Sequence, residues 1–154
     1  MTAPIATWGE PAHLAWLDAH RADLLAFYAP HVRRAEGGFH WLDNAGRPVP
    51  AQGQQLWIGA RMVHVFSIAH LLGDEGAAEI ARHGIDYYTT GAGRDAEHGG
   101  WFNAVMPDRV DDRKELYGHA HVLLAGSSAA QAGLPGGEQL AREASELIDR
   151  HFWV

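Results

Sequence analysis

From Leu56 to Leu72 the chain reads LWIGARMVHVFSIAHLL, apolar at nearly every step and carrying one arginine, Arg61. A surface helix shows a single apolar stripe, so a segment apolar on most sides predicts a helix buried among others. Before it, Leu14, Leu17, Leu24, Leu25, Tyr28 and Val32 recur at three- and four-residue steps. That spacing predicts a helix opening at Glu10-Pro11 and running to about Arg34, where cations suit a helix C-terminus. Gly37 to Gly46, followed by Arg47-Pro48-Val49-Pro50, reads as a small hairpin or extended loop. The buried helix is expected to start at Gln54 and to stop at Gly73 through a left-handed cap. Asp74 is then placed to cap a third helix whose positions Ala77, Ile80, Ala81, Gly84, Ile85 and Tyr88 share one face. Residues 89–112 read as loop, built around His98-Gly99-Gly100-Trp101-Phe102-Asn103. A fourth, largely uncharged helix is expected from Arg113 or Lys114. After Gly133-Leu134-Pro135-Gly136-Gly137, a fifth carries the stripe Leu140, Ala141, Ala144, Leu147, Ile148 and His151.

The pattern repeats. Gly37-Gly38-Phe39 returns as Gly99-Gly100-Trp101, and Leu56-Trp57…Arg61…Gly73 returns sixty positions later as Leu116-Tyr117…His121…Gly133. Each unit of about 60 residues holds a Gly-Gly-aromatic loop, a buried helix, a turn and a one-sided helix. Buried helices alternating with half-exposed ones predict an inner layer wrapped by an outer layer, an all-α toroid or solenoid rather than a four-helix bundle. The chain holds a leading outer-type helix and two inner–outer pairs, fewer than half the helices of a closed ring. A terminal repeat should present a polar capping face, and His151-Phe152-Trp153-Val154 does not. The expectation is one partial domain over residues 1–154, the N-terminal part of a larger α/α barrel of about two and a half repeats, or a fragment that associates to complete its core.

Composition narrows the function. A formal charge of −7 with no Lys/Arg run argues against a nucleic-acid footprint. The absence of cysteine removes disulfides, thiolate metal sites and thiol catalysis, and fits a cytoplasmic protein. MTAPIATWGEPAH lacks the basic start and apolar core of a signal peptide, and Leu56–Leu72, broken by Arg61, His64 and His70, is a poor membrane span.

Arg61 is the first candidate for chemistry, because a guanidinium stays charged and is costly to bury without a partner or ligand. The competing reading is a structural ion pair, with Glu115 as the nearest candidate in the pattern. Trp57 lies one turn before Arg61 and can share its face. His121 holds the repeat position of Arg61 and is a candidate for the same cavity wall. His64 with His70, and His119 with His121, are spaced so that neither pair shares a helix face, and no His-Glu-x-x-His occurs. No metal or cofactor is expected. The Gly-Gly pairs match no phosphate-binding fingerprint and read as turns.

GGFHWLDNAGRP, QLWIGARMVHVFSIAHLLG, HGIDYY, RDAEHGGWFNAV, KELYGHAHVLLAGSSAAQAG and HFW, in that order, resemble the N-acylglucosamine 2-epimerase superfamily of sugar isomerases and epimerases. Gly-Gly-Phe-x-Trp-Leu followed by Leu-Trp-Ile-x-x-Arg-Met-x-His-Val is most similar to its aldose–ketose isomerase branch, which holds mannose and sulfoquinovose isomerases. The resemblance implies an (α/α)6 barrel and metal-free proton transfer between C1 and C2 through a cis-enediol(ate). It also implies that the histidines moving the proton lie in later repeats, so that this chain by itself is inactive. Arg61 matches the family's active-site arginine and Tyr117 an active-site tyrosine; Tyr117 also reads as a core tyrosine with a satisfied hydroxyl. Trp57 and Trp101 would offer flat faces to a sugar ring, and both also read as packing residues. The implied partner is a monosaccharide, with no nucleic acid and no membrane. Either a homo-oligomer or association with the rest of a barrel would complete the fold. A sugar 2-epimerase, and a non-catalytic repeat module binding carbohydrate or protein, remain alternatives.

Overall fold

A computed structural model describes residues 7–153. The signal-peptide reading of residues 1–6 and the role of Val154 lie outside the described residues. Among the described residues there are five α-helices: α1 (Pro11–Tyr28), α2 (Leu56–Leu71), α3 (Ala77–Thr89), α4 (Leu116–Gln131) and α5 (Gly137–His151). Three two-residue strands, β1 (Gln54–Gln55), β2 (Ala104–Val105) and β3 (Val110–Asp111), form one antiparallel sheet in that order. The class is all-α, as the periodicity predicts.

The inner and outer layers are real. α2 packs along α4, α3 covers α2, α5 covers α4, and α3 meets α5. α2 and α4 are each 16 residues long, start sixty positions apart, and run the same way. Both close in the same manner. The amide of Gly73 donates to the His70 carbonyl and that of Asp74 to the Ala69 carbonyl, while Gly133 and Leu134 bond to Ala130 and Ala129 in the same pattern. Only a residue comfortable at positive φ fits that cap, and both glycines sit there. The stripe expected on α3 is buried at all six positions; on α5, Leu140, Ala144 and Leu147 are buried while His151 is exposed.

Several boundaries move. α1 stops at Tyr28 rather than Arg34, because Pro30 has no amide to continue the ladder. α1 buries no residue completely: Leu14, Leu17 and Leu24 stay exposed, and it is anchored by Leu25, Tyr28 and an ion pair from Arg21 to Asp74. That pair also overturns the expected Asp74 cap; α3 begins at Ala77, with Gly76 as its N-cap residue and no side-chain cap. Gln54 lies in β1 rather than opening α2, and α4 starts at Leu116, beyond the expected Arg113 or Lys114. Residues 89–112 are more than loop. They carry β2 and β3, too short to give a periodic signal, which tie the start of α2 to the second repeat.

The Gly-Gly-aromatic loops serve the core. Phe39 and Trp101 are buried between the layers, each in a short bridge, Arg33 to Phe39 and Arg94 to Trp101. Asp95, 2% exposed, accepts from Lys114 Nζ at 2.6 Å and from the amides of Glu97 and His98. Burial raises the pKa of the Asp95 carboxyl, but those donors outweigh it and hold it at about 2.

Candidate functional site

The wall shared by α2 and α4 gathers four of the five residues singled out in the sequence. Arg61 Nη2 donates to Tyr117 Oη at 2.8 Å, and Arg61 Nε donates to His121 Nε2 at 3.1 Å. The guanidinium carbon lies 4.8 Å from the centroid of the Trp57 ring, a cation–π stack. Tyr117 and His121 sit edge to face at 4.5 Å, and Trp57 approaches Tyr117 at 6.0 Å. The sixty-residue repeat explains the meeting. Trp57 and Tyr117, then Arg61 and His121, occupy the same two turns of paired helices.

Hydrogen-bond geometry fixes the roles of these atoms. His121 receives the Arg61 proton on Nε2, so its own ring proton is on Nδ1, which donates to the Tyr117 carbonyl at 2.8 Å. Its one lone pair is therefore occupied. Tyr117 Oη accepts from Arg61, which leaves the phenol hydrogen for a ligand oxygen. The Arg61 fork spends Nε and Nη2 on protein; among the described residues nothing holds Nη1. Trp57 is held in turn by Gln55, whose Oε1 accepts from the indole Nε1 at 3.0 Å.

Two expectations about Arg61 change. Its side chain is exposed, not buried, because the described helices leave one face of α2 open. Val65, Ile68 and Leu72 are exposed with it. Apolar composition on most sides reads as burial in a sequence even where neighbours cover only part of the helix. Glu115 is not its partner: that carboxylate pairs with Arg113, and among the described residues Arg61 has no salt bridge. Its commitments are a phenol, an imidazole and an indole, all neutral, so its charge is available to a ligand.

Trp101 leaves the site. It is 0% exposed, and its Nε1 donates to the Tyr88 carbonyl at 2.7 Å. A ring enclosed on both faces offers nothing to a sugar, and its repeat counterpart Phe39 is likewise core. His119 and His121 diverge as helix geometry requires. His119 is 0% exposed beside Trp101 and Phe152, while His121 faces Arg61.

Two further features carry no periodic sign in the sequence. His64, one turn beyond Arg61, donates from Nδ1 to Ser128 Oγ at 2.6 Å, and that hydroxyl donates to the Leu124 carbonyl. Burial, then the nearby His121, lowers the His64 pKa. A cavity of about 310 Å3 opens beside Arg61 and Trp57, walled on its far side by His40, Trp41 and Asn44. These three lie in the hairpin after Gly37-Gly38, where no helical period announces which side chains converge. Among the described residues no three His, Asp or Glu side chains gather as a metal site, and no helix is long and apolar enough to cross a membrane.

Comparison with known proteins gives the family and the fold. Residues 37–154 match the family model described as N-acylglucosamine 2-epimerase (GlcNAc 2-epimerase). A D-mannose isomerase of Thermobifida fusca is 46% identical over 144 residues, covering 92% of this chain and 35% of the relative. One from Pseudomonas cannabina pv. alisalensis is 39% identical over 143 residues, covering 93% of this chain and 34% of the relative. Among solved structures, a D-mannose isomerase superposes with a TM-score of 0.84 at 27% identity, covering 97% of this chain and 38% of that one. A cellobiose 2-epimerase from Spirochaeta thermophila DSM 6192 shares the fold, with a TM-score of 0.75 at 23% identity, covering 89% of this chain and 38% of that one. The five helices are thus part of an (α/α)6 barrel, and the chain spans about a third of the length of the curated relatives it matches.

Proposed function

The chain belongs to the N-acylglucosamine 2-epimerase family, and from that premise we propose that it forms the sugar-holding wall of an aldose–ketose isomerase acting on a hexose of the mannose/fructose kind. The observation that carries the proposal is the Arg61 cluster, a guanidinium bonded to Tyr117 and His121 and stacked on Trp57 with one nitrogen left open. Moving a proton between C2 and C1 passes through an enediolate, whose negative charge falls on the oxygens at those carbons. A fixed cation and a free phenol hydrogen are the groups that lower the energy of such an oxyanion without reorganising. No metal enters this reading, because Arg61 and Tyr117 carry the oxyanion.

His121 takes a narrower role than a general base. With Nε2 engaged by Arg61 it has no lone pair for a substrate proton, so it orients the guanidinium. The proton-transferring groups are proposed to lie outside residues 1–154, in the barrel repeats that the relatives have beyond this one partial domain. The test is a chimera in which residues 1–154 replace the matching third of the Thermobifida fusca enzyme. We expect conversion of mannose to fructose, with kcat/KM lowered on the order of 10²–10³-fold by Arg61→Ala and by less in Tyr117→Phe. The circular dichroism spectrum stays unchanged, since the Arg61 side chain is exposed. Near-normal activity of Arg61→Ala would sink the assignment. The family model is described by a 2-epimerase activity, which makes epimerisation the second reading; the appearance of glucose rather than fructose from mannose would select it.

A further inference from the structure

Gln55 stands immediately before α2 and does not do what its position predicts. It is the N-cap residue of that helix, where a side chain ordinarily accepts from an amide of the first turn. Gln55 caps nothing. Its one side-chain hydrogen bond among the described residues comes from the Trp57 indole, at 3.0 Å. Gln54, its neighbour in β1, serves a different partner, as alternating strand side chains do: its Oε1 accepts from the Phe39 amide at 2.9 Å. One side chain of β1 thus holds a core loop, and the next holds the aromatic ring under Arg61. The second repeat isolates the feature. Sixty positions on, Glu115 is the N-cap of α4 with a similar extended backbone, and it too caps nothing. But Glu115 pairs with Arg113, and the aromatic two residues after it is Tyr117, whose hydroxyl is held by Arg61. The bond from N-cap side chain to aromatic ring belongs to the first repeat.

We propose that Gln55 is a positioning residue for the Arg61 cluster: by fixing the Trp57 indole it sets the plane on which the guanidinium lies. The inference rests on the isomerase reading for its effect on rate, and on geometry alone for the contact. An indole turns about two side-chain torsions, and the stack under the guanidinium carbon, at 4.8 Å, needs one orientation of the ring. Trp57 is only half-buried, so packing does not supply that orientation and the bond to Gln55 does. Arg61 depends on it more than a paired arginine would. Among the described residues it has no carboxylate to hold it, only Tyr117, His121 and this ring. A guanidinium freed from its platform has to be reoriented as charge develops on the substrate, which costs rate more than binding.

Gln55→Leu removes the acceptor and keeps the pairing of β1 with β2, which is made by backbone. In NMR spectra of the isotope-labelled full chain, the indole N–H peak of Trp57 is identified by its loss in Trp57→Phe. Gln55→Leu should move that peak upfield and speed its exchange with water, whereas Gln55→Glu, which keeps an acceptor oxygen at the same reach, should leave it protected. The Arg61 Nε–H peak should shift together with it, because the ring current from Trp57 changes. In the chimera, Gln55→Leu should lower kcat about tenfold while KM stays within about twofold. In a Trp57→Phe background, itself less active, the same substitution should do nothing more, because no indole N–H is left for Gln55 to hold. A glutamine that merely supports the fold would cost the same in both backgrounds. Equal losses in the two backgrounds, an indole or Arg61 peak that stays in place in Gln55→Leu, or an active chimera whose kcat ignores Gln55→Leu would each overturn the proposal. An inactive chimera in which both peaks still respond removes the isomerase reading alone.

Discussion

Arg61 shows how a single residue can be legible for a reason that is only half correct. The sequence marks it as a lone charge in an apolar segment, and the structure places it on an exposed face. What leaves its charge open to a ligand is the neutrality of everything it touches, and that depends on Tyr117 and His121 sixty and fewer positions away. Trp101 fails in the opposite way, since an aromatic after Gly-Gly looks the same whether its ring meets ligand or core. His119 carries a prediction that belongs at this scale. It is fully buried, its Nδ1–H donates to the Glu115 carbonyl, and its Nε2 has no partner. Burial lowers its pKa from 6.5; the bond to Glu115 opposes that shift, and Lys114 and His151 reinforce it. Unfolding exposes the ring and restores the ordinary value, so the unfolded chain binds the extra proton first. The stability this neutral histidine contributes is present above about pH 6.5 and is lost as pH falls toward the folded-state pKa. Urea midpoints of the chain should therefore drop between pH 7 and pH 5, and His119→Gln should make that slope shallower. A slope unaltered in His119→Gln would remove the residue from the account.

At the scale of elements, the repeat made the fold readable. Two helices of equal length, two glycine caps and two one-sided helices recur at a constant offset, and each signal is local in sequence. The strands escaped because two residues cannot display an alternation. The close packing of inner on outer helices was also hidden, since Gly126 looks like a helix-weakening residue until α5 is seen against it. A Cβ at Gly126 would stand 2.4 Å from the Ala141 backbone nitrogen, so α4 and α5 touch main chain to main chain there. Neither backbone can yield without shifting a helix. Gly126→Ala should cost about 1–3 kcal/mol as an overpacked contact, despite the better helix propensity of alanine. Chemical denaturation of the variant measures this, and a variant as stable as the parent would show that the helices are free to part.

For the molecule as a whole, what is covered and what is open follow from the same layering. The two inner helices bury the sides that meet each other and their outer helices. They leave Val65, Ile68, Leu116 and Leu124 exposed, and α1 adds Trp16, Leu17 and Leu24 at its own surface. The sequence could not show this, because hydrophobic periodicity reports which positions are apolar and not which partner covers them. Exposed apolar surface on this scale favours association or the binding of apolar probes. Exposed Arg61 and the chain's net charge of −7 oppose it only weakly, since charge is screened over about 10 Å at 0.1 M salt. The 154-residue chain alone is therefore predicted to bind a hydrophobic dye and to self-associate as its concentration rises, more strongly at high salt. Joined to the remaining two thirds of the Thermobifida fusca relative, the same residues should lose both properties, because the barrel repeats then cover the open faces. Sedimentation velocity with dye fluorescence checks the pair of samples together. A monomeric, dye-silent chain would mean that these apolar side chains are solvated without cost, and the covering role given to the other repeats would fall with it.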